Sequence, residues 1–192
     1  MPVDSKSIFY DLRIGTWKTI ADILEGEEVI KAKGELYLPR LKGQKTAAYN
    51  SYINRGSFFN ATARTIQGLG GAIMRKSVVV EVPKTMEDWL DKVTLDGLSF
   101  KDVTKIVVDE LLSYGYFGIL VDIKNKAEIE PYLSLYNCAN VFNVKYDYVD
   151  GNFKLIRLVL GESDYVDSSE DRYVQEEVGH VKLLELDDMG FL

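Results

Sequence analysis

The chain of 192 residues has one cysteine, Cys138, and one histidine, His180. No disulfide can close within it, and a histidine-rich metal site is excluded by supply. No apolar run approaches the roughly 18 residues that span a bilayer, which argues against a membrane role, and the opening MPVDSKSIFYDL does not have the pattern of a secretory leader. Acid is missing from one long stretch. Leu36 to Val80 contains no Asp or Glu, but it holds Arg40, Lys42, Lys45, Arg55, Arg64, Arg75 and Lys76. The whole chain carries −7, so the residues outside this stretch carry −14. Segregation of that kind concerns partners or self-assembly rather than fold.

What is present is ordinary globular material, 46% hydrophobic and 28% charged, enough for one core or for a domain with a helical arm. Ile8, Leu12, Trp17, Ile20, Ala21 and Leu24 recur at helical steps, with Asp4 as a candidate N-cap, Gly15 as a candidate break and Gly26 as a stop. A short helix follows from Glu27 to Lys33, and Tyr37-Leu38-Pro39 is extended because the residue before proline avoids the helical region. From Thr46 to Met74 the apolar spacing predicts one long helix, about 46–74, weakened at Gly68-Leu69-Gly70-Gly71. On it, Asn50, Ser57, Arg64, Gly71 and Arg75 fall on one small, positive face, whereas Arg55 falls in the apolar stripe and needs a carboxylate or helix-end carbonyls.

Further on, Ser77 to Val82 reads as a short buried strand, and Met86 to Lys92 as a brief helix turning Trp89 to the core. Ser99 and Asp102 form a capping pair for a helix from Phe100 to Tyr114, closed by Gly115. Tyr116 to Ile123 is a buried strand. Val144 to Val149 and Phe153 to Leu160 make a hairpin across Asp150-Gly151-Asn152, Glu162 to Asp171 is an acidic loop, and Tyr173 to Leu186 is a second hairpin around Gly179-His180. The final Asp187 to Leu192 reads as a turn into a further strand, as in a chain cut within a sheet. The fold class is α+β, with N-terminal helices and then a mixed unit ending in antiparallel hairpins. The expected division is a helical arm over 1–76 and an α+β unit over 77–192, which also read as one continuous domain.

Little of this suggests catalysis. Cys138 has His180 as its one candidate base, on a different hairpin, and reads as a small core residue. Gly68-Leu69-Gly70-Gly71 ends a helix instead of opening one and lacks the Lys and Ser or Thr of a phosphate loop. The sharper candidate is Asp122-Ile123-Lys124. With Val121 and Ile123 turned inward, Asp122 and Lys124 would project together, as in a Mg²⁺-dependent nuclease, although no second carboxylate converges by spacing. Direct DNA binding is disfavoured by a pI near 4.9.

One pattern goes further. Tyr37-Leu38-Pro39, Tyr49 with Tyr52, Arg55-Gly56-Ser57-Phe58-Phe59-Asn60-Ala61-Thr62-Ala63-Arg64-Thr65, Gly68-Leu69-Gly70-Gly71-Ala72-Ile73-Met74-Arg75-Lys76, Asp96-Gly97 with Ser99-Phe100, and Leu111-Leu112-Ser113-Tyr114-Gly115-Tyr116-Phe117-Gly118-Ile119-Leu120-Val121-Asp122 follow one another in order. This succession, over roughly Trp17 to Leu186, resembles the N-terminal wing region of a family of tailed-bacteriophage portal proteins, long catalogued as a phage domain of unknown function. The resemblance implies a structural head-tail connector without enzymatic activity or cofactor. It implies a dodecameric ring at one capsid vertex, partnered by terminase, capsid and neck or tail proteins, with double-stranded DNA passing through. It also implies a place in the virion, with assembly in the host cytoplasm, and that this sequence lacks the stem and the clip. Arg64 and Arg75 are the candidate subunit or DNA contacts. The alternatives are the nuclease with Asp122 and Lys124, and an adaptor that binds another protein.

Overall fold

The computed structural model describes residues 3–123, 130–168 and 173–186. It is an α+β protein with helices first and antiparallel strands last. The chain divides into two compact units that interleave in sequence. A helical unit takes residues 15–92 and 98–115, and a sheet unit takes residues 1–14, 93–97 and 116–192. The partition differs from a cut at residue 76, because a helix late in the sequence belongs with the early ones.

In the helical unit, α1 (Ile8–Glu25), which begins in the sheet unit, runs unbroken through Gly15 and is followed by α2 (Glu27–Ala32). Gly26, at φ 103, makes the turn between them, a conformation that disfavours any residue with a Cβ. Trp17 is buried, and its Nε1 donates to the Tyr114 carbonyl at 3.3 Å, near the end of α5 (Phe100–Tyr114). Buried Asp22 accepts from Lys33 and from the Tyr37 hydroxyl, which holds the end of α1 to the segment after α2. These bonds, Lys33 first and then Tyr37, keep the Asp22 carboxyl below its usual range.

The long helix expected over 46–74 is two helices, α3 (Thr46–Arg55) and α4 (Ala61–Ile73). Gly56 ends the first in extended conformation, its N–H satisfied by the Tyr52 carbonyl at 2.9 Å. Asn60 starts the second: its Oδ1 accepts from Ala63 N at 2.9 Å, and its Nδ2 donates to the Ile23 carbonyl at 2.6 Å. Between them the Phe58 N–H donates to Glu27 at 3.1 Å. Apolar periodicity ran on through this break because a cap and a glycine reset the backbone without disturbing the hydrophobic spacing.

Residues 77–82 do not form the expected strand; among the described residues they pair with no other strand, and Val79 is 84% exposed. β-Branched residues favour a strand only where a neighbour takes up the backbone groups. The stretch expected as a brief helix holds two short 3₁₀ turns, Lys84–Met86 and Asp88–Asp91, with Trp89 half-buried. α5 is as expected. Ser99 and Asp102 cap each other's backbone, and Gly115 at φ 70 closes the helix. α4 lies against α5 so closely at Gly70 that an added Cβ would stand 2.9 Å from Asp109 Oδ1.

The sheet unit holds two antiparallel sheets. β1 (Phe117–Ile123) pairs with β2 (Pro131–Asn137), and β3 (Val141–Val149) pairs with β4 (Asn152–Asp167), which pairs with β5 (Gln175–Glu185). Tyr136, Val141 and Leu160 form its buried centre, flanked by Tyr116, Leu120, Val144 and Leu158. The first turn of α1 joins this unit: Ser7, not Asp4, caps the helix through Tyr10 N at 3.2 Å, and its own N–H reaches the Phe142 carbonyl at 2.9 Å. The β3–β4 turn is the expected one, with Asp150 at φ 52 and Gly151 at φ 75.

Two expectations fail on β4 and β5. The segment read as an acidic loop is β4 as far as Asp167, and Gly179-His180 is no turn but the middle of β5, paired to Ser163 and Glu162. Turn-type residues were overruled by pairing along a long partner strand, an interaction invisible in local composition. Residues 169–171 of the expected acidic loop and the expected turn at 187–192 lie outside the described residues.

Candidate functional site

Arg64 and Arg75 both belong to the helical unit. Arg64 is exposed on α4, its guanidinium 4.8 Å from the centre of the Phe59 ring, and Arg75 is exposed in the turn after the helix. The break before α4 takes Asn50 and Ser57 off the face they were expected to share, since Asn50 sits on α3 and Ser57 in the connection. What survives of that face on α4 is Arg64 and Gly71, which Gly68 joins by helical spacing, with Arg75 just beyond the helix end. Arg55 is exposed, not enclosed by apolar neighbours, and donates to the Ser51 carbonyl of its own last turn at 3.2 Å.

Asp122 lies in the sheet unit with the opposite orientation to the one expected. Val121 is 66% exposed and Ile119 and Ile123 are exposed with it, whereas Leu120 and Asp122 are sheltered. The alternation expected for β1 is therefore inverted: Ile119, Val121 and Ile123 face out. Asp122 pairs across the ladder with Tyr132 and binds the Lys182 ammonium of β5. That bond holds the Asp122 carboxyl below its usual range, against the upward push of burial. Burial also works to lower the Lys182 pKa, and the bond to Asp122 together with Glu162 outweighs it. Lys124 lies outside the described residues.

Around Asp122 the structure assembles a polar cluster that local sequence reasoning missed. The buried Tyr136 hydroxyl donates to Glu162, Lys182 Nζ stands 3.9 Å from the same carboxylate, and His180 Nε2 lies 3.3 Å from Glu162 Oε2 and 3.8 Å from Asp164 Oδ2. Burial first, and then the Glu162 charge, push the Tyr136 hydroxyl far above its usual pKa, so it remains a neutral donor. The cluster borders an open cleft of about 570 Å³ that also exposes Asp96 and Ser134. Lys182 lies between the carboxylates of Asp122 and Glu162, and the His180 ring lies between those of Glu162 and Asp164. The Asp122–Lys182 and Tyr136–Glu162 bonds tie β1–β2 to β4–β5. Among the described residues no group of three His, Cys, Asp or Glu side chains is placed to hold a metal ion.

The signal for this cluster was present in part. Glu162 and Asp164, and likewise His180 and Lys182, have strand spacing, but reading Glu162 to Asp171 as a loop and Gly179-His180 as a turn left only Lys182 in a strand. Cys138 is buried, as a core residue would be. No protein-family model matches the chain, and no curated protein matches it. The portal resemblance is therefore carried by the residues quoted for it.

Proposed function

We propose that this chain is a structural, non-enzymatic protein of the phage-portal type, working as part of a self-assembled ring through which double-stranded DNA is packaged and ejected. The supporting observation is the separation of charge between two units that each leave large apolar side chains uncovered. The helical unit has 14 Lys and Arg against 12 Asp and Glu, a net +2, and the sheet unit has 9 against 18, a net −9. Leu41, Phe59, Leu69 and Ile73 stand exposed on the first, and Val121, Tyr148, Phe153 and Tyr165 on the second. Opposite charges with apolar patches beside them suit packing between identical copies. Ring geometry, the terminase, capsid and tail partners, and a place in the virion come from the motif succession between Tyr37 and Asp122.

The test is the native mass of the purified chain, with negative-stain images of what assembles. Closed rings support the reading, and a monomer or an open dimer at all concentrations counts against it. Mg²⁺ and supercoiled plasmid added to the same sample examine the nuclease alternative: nicking that vanishes in Asp122→Asn would replace the structural reading with an enzymatic one. Within the ring reading, Arg64→Glu is expected to weaken assembly by an amount typical of exposed charge pairs, about 0–1 kcal/mol for each contact. The effect grows where the contact is desolvated.

A further inference from the structure

The pairing of β3 with β4 ends at Leu160, and past it β4 and β5 continue as a ribbon of two strands. Its outer part sets Ser163 to Asp167 against Gln175 to Gly179, and every one of these residues is exposed. A lone ribbon of two strands is marginal in water, because neither face is covered. By register, Val166 and Val178 share one face with Asp164 and Glu176, and Tyr165, 68% exposed, shares the other with Asp167 and Glu177. This part of the ribbon holds four carboxylates and no Lys or Arg.

Its complement in charge and in shape is on α4. Arg64, Gly68 and Gly71 follow one another along one side of the helix, Arg75 lies just beyond, and all four are exposed. A Cβ added at Gly68 or Gly71 would meet nothing within 4 Å, so a backbone can come close there. Ala72, also exposed, lies beside Gly68 on this side of the helix, whereas Leu69 and Ile73 point about 100° or more away from it. The surrounding Leu36 to Val80 contains no acidic residue that would repel a carboxylate.

We propose that the β4–β5 ribbon of one copy lies along the Arg64–Arg75 side of α4 in a second copy. Asp164 and Glu176 meet the two arginines, and Val166 and Val178 meet the open side formed by Gly68, Gly71 and Ala72. Ribbon and helix are different surfaces, so the contact is heterologous and can propagate around a ring. The inference rests on the self-assembly reading above and names the acidic half of that contact.

The test uses two forms of the full chain, distinguished by tag mass. One carries Val178→Cys and the other Gly68→Cys, and the native Cys138 is buried in both. Mixed under mild oxidation, they are expected to give the disulfide-linked heterodimer in clear excess over a control pair with Asp88→Cys in place of Gly68→Cys. A yield no better than the control overturns the inference. In parallel, Asp164→Lys with Glu176→Lys is expected to weaken self-association about tenfold. Adding Arg64→Glu and Arg75→Glu to the same ribbon variant should recover most of that loss. Unchanged association in the ribbon variant, or a wild-type chain that stays monomeric, also overturns it. Electron microscopy separates the two readings. Rings without the cross-link keep the ring and remove the ribbon contact, and cross-linked chains that never close do the reverse.

Discussion

The two units are stabilised by different means. The sheet unit has a continuous apolar centre in Tyr136, Val141 and Leu160, bordered by a polar cluster in which Tyr136 donates to Glu162 and Lys182 binds Asp122. The helical unit buries Trp17, Ile30, Tyr49 and Val103 and adds directed bonds at helix ends: Asn60 to Ile23, Phe58 to Glu27, Lys33 and Tyr37 to Asp22. A unit held by packing yields most to the loss of volume, and one held by caps yields most to the loss of a single polar group.

The largest effect that would sharpen this contrast is Leu160→Ala, expected to cost about 2–5 kcal/mol. Hydrogen exchange should show the loss across β3 and β4, while the amides of α4 and α5 keep their protection. Equal loss in both units would break the distinction. Next comes Asn60→Ala, which removes the cap of α4 and the bond to the Ile23 carbonyl; about 1–2 kcal/mol is expected, localised to α4. If α4 exchange is unmoved, the cap does not hold that helix in place.

A smaller effect of the opposite sign is expected from Gly68→Ala. The position is inside α4 and open, so alanine should stabilise by about 0.5–1 kcal/mol in thermal or urea unfolding. Destabilisation there would show that something already covers the glycine row. The smallest effects are those of pH. Asp22, Glu27 and Asp102 have lowered pKa values, so the stability they contribute is present above the ordinary carboxylate range and is lost as pH falls through their folded values. Glu110 on α5 runs the other way. Burial and then Asp109 raise its pKa, and its Oε2 has no hydrogen-bond partner, so stability declines as pH rises from the ordinary glutamate value through the raised one. Glu110→Gln should flatten that decline while leaving the acid limb intact, as read from urea midpoints between about pH 4 and 7. An unaltered profile would mean that Glu110 is not the source of the slope.

Much of the helical unit could be read from the chain. The Ser99–Asp102 capping box, Gly115 and Gly26 act through bonds or dihedral preferences spanning a few residues, and each is where local rules put it. The break between α3 and α4 was legible in principle as Gly56 followed by Asn60, but the apolar spacing on both sides masked it. The polar cluster was much less legible. Asp122, Tyr136, Glu162 and Lys182 come from four strands, and only the register of those strands brings them together.

The sequence alone determined the α+β order, the ends of α5, the Asp150-Gly151 turn and the absence of acid from the basic stretch Leu36 to Val80, because each follows from neighbours in the chain. Tertiary structure decided which face of β1 is sheltered, whether Ser77 to Val82 becomes a strand, and that Gly179-His180 lies within one. A strand's state depends on a partner many residues away, and a slip of one residue in register exchanges its two faces.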